Sequence, residues 1–154
     1  MNFVRRFCCY STATIPGWKD TIPFVPPISN GIVIKVYDGD TITIASKLPY
    51  KKSPLYRFSV RLNRIDAPEI KGVSKKETQM AIISRDKLAE KCLNKQVTLT
   101  EIKREKYGRV LADIHCGGLC LNDWMITEKL AVEYDGGTKA KINWEEYMKQ
   151  HVKK

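Results

Sequence analysis

The chain has 154 residues, 43% of them hydrophobic, which is enough for one domain with a buried core and short for two. Lys and Arg number 27 against 17 Asp and Glu, a formal charge of +10 that draws polyanions and puts nucleic acid first among partners. No run reaches the ~20 apolar residues of a membrane-spanning helix. The five cysteines, Cys8, Cys9, Cys92, Cys116 and Cys120, form no even framework, which argues against a disulfide-stapled scaffold and for the cytoplasm or another reducing compartment.

Residues 1–30 carry Pro16, Pro23, Pro26 and Pro27 without helical or strand period and are expected to be an extended lead-in outside the core. Met1 to Lys19 holds no acid but has Arg5, Arg6 and several hydroxyl residues, the composition of an organelle-targeting segment. The domain proper is expected over residues 31–150. Ile32 to Tyr37 is rich in β-branched residues and runs into Asp38-Gly39, a hairpin signal, after which Thr41 to Ile44 alternates polar and apolar. Past a polar loop, Phe58, Val60 and Leu62 alternate with Arg57, Ser59 and Arg61 as a third strand, which Pro68 closes off because it cannot donate to a ladder.

From Glu77 to Leu93 the period changes to about 3.6, with Ala81, Ser84, Leu88 and Cys92 on one stripe, and predicts the longest helix. Gln96 to Ile102 and Val110 to Ile114 read as strands four and five, with a turn at Glu105 to Gly108. Cys116-Gly117-Gly118 reads as a hairpin turn rather than half a zinc site, since no second pair follows His115, Cys116 and Cys120 at ligand spacing. Asn122 is expected to cap a second helix, and a last short helix to carry Trp144, Tyr147 and Met148. Three strands, a long helix, two strands and terminal helices predict an α+β fold built on a five-stranded, partly open OB-type barrel.

Acids gather where the strands break: Asp38 and Asp40 in the first hairpin, Asp66 and Glu69 after the third strand. In so basic a chain they suggest a cation site. Asp38-Gly39-Asp40-Thr41, then Arg61-Leu62 with Ile65-Asp66-Ala67-Pro68-Glu69, then Tyr107-Gly108-Arg109, resemble in order and separation the motifs of the staphylococcal nuclease (thermonuclease) family. The resemblance covers roughly residues 31–150. It implies a calcium-dependent nuclease that hydrolyses phosphodiester bonds of DNA and RNA with low sequence specificity, leaving a 5′-hydroxyl and a 3′-phosphate.

Phosphodiester hydrolysis adds charge to an anionic centre, so it needs cations at the phosphate oxygens and a base for the water. Asp40 and Asp66 offer hard oxygen ligands and leave positions open, which suits calcium with its about six to eight oxygens. The resemblance adds the main-chain carbonyl of Ala67 as a third ligand and makes Glu69 the candidate general base, with Asp38 behind the metal. Arg61 and Arg109 have the planar forks that match a phosphate. Strict alternation places Arg61 and Asp66 on opposite faces, so their convergence requires the strand to end or bulge after Asn63. Lys106 and Tyr107 could touch the substrate backbone or stack on a base. Tyr134 stands one position from the family's base-stacking tyrosine, and Asp135 beside it would weaken a phosphate contact. The partners expected are DNA or RNA, with the protein a monomer. The alternative is a catalytically inactive OB-type nucleic-acid-binding module, which in such folds goes with loss of the acids or the arginines; this chain has both sets.

Overall fold

The computed structural model describes residues 15–72, 74–139 and 141–149. Most of the segment expected to act in targeting lies outside the described residues. After a single 3-10 turn at Trp18–Asp20, the chain forms strands β1 (Asn30–Asp38), β2 (Thr41–Ser46) and β3 (Tyr56–Leu62). A two-residue strand β4 (Ile65–Asp66) and helix α1 (Lys75–Cys92) follow, then β5 (Gln96–Arg104), β6 (Val110–Cys116) and β7 (Leu119–Cys120). The described residues end in α2 (Leu121–Thr127), β8 (Val132–Glu133) and α3 (Trp144–Lys149). Among the described residues β3, β2, β1, β5 and β6 are neighbours in that order, and a parallel pairing of β3 with β6 closes them into a five-stranded barrel. The fold is α+β and of OB type, with the long helix between the third and fourth barrel strands.

Alternation fills the barrel. Val33, Ile42, Ile44, Val60, Leu62, Val97, Leu99, Val110 and Ile114 are buried together, and removing a leucine-sized side chain from such a core costs about 2–5 kcal/mol. Helix α1 covers the barrel with the stripe Ala81, Ser84, Leu88 and Cys92, all buried. Its start is fixed by Ser74, whose hydroxyl accepts from the Glu77 amide at 3.1 Å. The proline-rich lead-in is tied to the core at its end: Ile28 is buried, and the Ser29 carbonyl accepts from the Leu99 amide at 2.8 Å.

One expectation is corrected, and the reason for one glycine is added. Asn122 does not cap α2; it lies inside the helix, fully buried, while Cys120 holds the cap position. Its carbonyl accepts from the Ile114 amide at 2.9 Å and its amide donates to the carbonyls of Asn63 and Ala112 at 2.8 and 3.3 Å. It therefore pins the end of β3 to β6. Gly39 turns the first hairpin, but not through a positive φ: a Cβ there would lie 2.0 Å from Ser84 Oγ and 2.8 Å from Ala67 Cβ. The glycine permits close approach to α1 and to the acidic turn.

Candidate active site

The hairpin of β1 and β2 and the end of β3 meet on one rim of the barrel. Thr41 pairs with Arg61 across the ladder, and the Leu62 amide donates to the Asp40 carbonyl at 2.8 Å. Arg61 and Asp66 are brought onto one side because β3 stops at Leu62 and Arg64 takes a left-handed φ of 63°. That turn reverses the chain into β4, which is held by β8 through the pairs Ile65 with Glu133 and Asp66 with Val132.

The result is a buried guanidinium between two carboxylates. Arg61 Nη1 donates to Asp40 Oδ2, and Nη2 donates to Asp66 Oδ1 at 3.2 Å and to the Ile65 carbonyl at 3.1 Å. Burial works against the charged guanidinium, but Asp40 and Asp66 outweigh it and hold Arg61 above its ordinary value. On one side the network continues from Asp40, which accepts from the Thr41 hydroxyl at 2.8 Å, to Arg109, whose Nη1 donates to that hydroxyl at 3.4 Å. Arg109 Nε in turn donates to Glu105 at 3.3 Å. Burial pushes Glu105 up, yet the bonds from Arg109 and the Tyr107 amide leave its carboxyl below the usual range.

On the other side Lys139 donates to Asp66 at 2.9 Å and to Glu69 at 2.6 Å. The hydrogen bond from Lys139 lowers the Glu69 carboxyl, which is ionised at neutral pH. Asp38 behaves differently. Burial first, and the charge of Asp40 second, push its carboxyl up to about 7.

These groups line a cavity of about 530 Å³ whose walls include Asp38, Asp40, Arg61, Ala67, Glu69, Lys106, Tyr107, Arg109, Tyr134 and Lys139. Asp66 stands just behind, bonded to Arg61 and Lys139. All the residues singled out from the sequence thus gather at one place. Tyr134 reaches the wall with its ring 5.9 Å from the Arg61 guanidinium, while its hydroxyl donates to the Gly137 carbonyl at 2.7 Å. Asp135 does not line this cavity; its carboxylate accepts from the Gly137 amide at 2.9 Å and shapes the loop that carries Lys139.

Lys139, Glu105 and Tyr37 line the cavity and Thr41 joins its network without having been assigned a role from the sequence. Thr41 and Glu105 flank motif residues, so proximity to Asp40 and Arg109 was a usable signal. Lys139 lies 70 positions from Glu69 in a chain with 27 basic residues and carried none.

The donor set suits a hard cation. Asp40 and Asp66 share one guanidinium and so stand close together, Ala67 is buried beside them, and crowding between Asp38 and Asp40 already disfavours a second negative charge. No group of three or more His, Cys, Asp or Glu is placed to hold a metal among the described residues. Oxygen-only donors of this kind fit calcium better than a soft metal.

The profile of the family described as Staphylococcal nuclease homologue matches residues 59–154. The chain belongs to this family. The matched residues of this staphylococcal nuclease homologue include Arg61, Asp66, Glu69 and Arg109, while the hairpin that bears Asp40 precedes them. The chain is similar to an "Uncharacterized endonuclease" of Escherichia coli, 31% identical over 107 residues, covering 69% of this chain and 61% of that protein. A "Probable endonuclease" of Schizosaccharomyces pombe is 30% identical over 128 residues, covering 69% and 56%. A "Probable staphylococcal-like nuclease" of Oryza sativa subsp. japonica is 37% identical over 70 residues, covering 46% and 13%. The chain spans less than two thirds of the length of each of these relatives.

Proposed function

We propose that this chain is a calcium-dependent nuclease that cleaves DNA and RNA with little sequence preference. The observation that carries the reading is the single cavity in which Arg61, clamped by Asp40 and Asp66, shares a wall with Arg109 and Glu69. That the three relatives are named as endonucleases or a nuclease supports it.

In this reading Asp40, Asp66 and the Ala67 carbonyl hold the cation, which when bound supplies positive charge to a phosphate oxygen. Arg61 and Arg109 approach the same phosphate from the wall and stabilise the charge that builds as water attacks phosphorus in line. Both terminal nitrogens of Arg61 donate to Asp40 and Asp66, so reaching a phosphate requires the guanidinium to give up part of those bonds. Glu69, ionised, takes the proton of the attacking water as the new phosphorus–oxygen bond forms. The bond to the 5′ oxygen breaks, and Arg109 donates to the leaving oxygen. Lys106 and Tyr107, the latter 76% exposed, hold the neighbouring nucleotide by charge and stacking.

The test is whether the purified protein opens circular single-stranded DNA, which has no ends, when calcium is present. Linear fragments that disappear with chelator support the reading. Circles left intact under both conditions overturn it.

A further inference from the structure

We propose that Tyr37, with Lys35 beside it, is a second nucleobase platform of the cavity, on the far side of the acidic centre from Lys106 and Tyr107. The inference rests on the reading of the cavity as a nucleic-acid site and adds to it a specificity-determining residue. Tyr37 lines the cavity, and half of its surface is open to solvent. The Lys35 ammonium stands 5.7 Å from the centre of its ring, as the Lys106 ammonium stands 5.0 Å from that of Tyr107. Each pair offers a flat apolar face for a base and a cation for the adjoining phosphate.

The two pairs come from different elements, Tyr37 from β1 and Lys106 from the turn after β5. Val36 faces Ile42, Ile42 faces Val60, Val60 faces Val110 and Val110 faces Arg104, one row across β1, β2, β3, β6 and β5. Tyr37 follows the first residue of that row and Lys106 comes just after the last, with Arg61 next to its middle. Along that row four steps of about 4.8 Å span up to about 19 Å, room for a short run of nucleotides. A strand whose phosphate lies at Arg61 therefore extends toward both rings. On the β1 side Asp38 and Asp40 repel its backbone, and Lys35 offsets that repulsion. A base paired within a duplex has no free face for Tyr37, so the platform selects unpaired strands.

The experiment is fluorescence anisotropy with chelator present, so that nothing is cut, using labelled oligothymidylate, a thymidine dinucleotide and a duplex of the same length. Tyr37→Ala is expected to weaken oligothymidylate binding about tenfold or more, the effect of one lost stack, and to leave duplex and dinucleotide binding unchanged. Tyr37→Phe retains the affinity, since the ring is what stacks. Equal loss on all three probes, or no loss with thermal unfolding unchanged, overturns the platform. If the wild-type protein neither binds oligonucleotide with chelator nor binds or cuts it with calcium, the nuclease reading falls with it; if it binds and Tyr37→Ala binds equally well, only this inference falls.

Discussion

The ammonium of Lys139 bridges Asp66 and Glu69, so the candidate cation site contains a cation of its own. A divalent ion on Asp66 must compete with that contact. Lys139→Met removes a positive charge next to two carboxylates, and calcium binding followed by calorimetry is expected to tighten about tenfold. Unchanged or weaker binding would mean that Lys139 does not oppose the ion. The sequence pointed to Asp40, Arg61, Asp66, Glu69 and Arg109 together because each sits in a short motif in or near the end of a strand, and the structure brings them to one cavity wall or directly behind it. Lys139 was missed because the contact depends on a loop set by Tyr134, Asp135 and Gly137, far away in the chain.

At the scale of elements, the first hairpin is positioned by its contact with α1. Gly39 leaves no room for a Cβ against Ser84 and Ala67, so Gly39→Ala must push the hairpin, and Asp40 with it, away from the helix. Overpacking of this kind costs about 1–3 kcal/mol, and the variant is expected to lose that much in urea unfolding. Ser84→Ala removes the atom of closest approach and should restore part of the loss, although Ser84 also donates to the Leu130 carbonyl at 2.8 Å. Two independent losses that simply add would contradict the contact. The Asp-Gly pair was legible as a turn, but the reason for the glycine was not, because it lies in a helix some 45 positions away. The β4–β8 ladder was invisible for a similar cause: two residues on each side give no period, and their partners are distant in sequence.

Across the whole molecule, the barrel was legible because its strands alternate and α1 keeps its stripe, whereas Asn122 was misread: a buried polar residue and a cap look alike until its partners are known. Global stability should carry the mark of one core thiol. Burial, followed by the neighbouring Cys116, pushes Cys92 up from 9.0 to about 12. The thiol is neutral in both states at neutral pH and contributes no pH dependence there. As pH rises past the unfolded value, the unfolded chain releases its proton and the folded one does not, so stability falls. Cys92→Ala should be less stable at neutral pH, yet lose less on going alkaline; urea midpoints across that range check it, and parallel curves would contradict it.

The chain carries +10 overall and sets acids among bases at its cavity, an arrangement that draws a polyanion from a distance. The most direct measurement is the rate of cleavage of circular single-stranded DNA by the wild-type protein and by Arg109→Ala, each with calcium and with chelator. Calcium-dependent cleavage, lowered about 10²-fold or more in the variant whose binding to oligonucleotide persists, is the predicted result. Binding without cleavage in either protein, indifferent to calcium, would contradict the account and leave a basic nucleic-acid-binding barrel whose acids serve its turns.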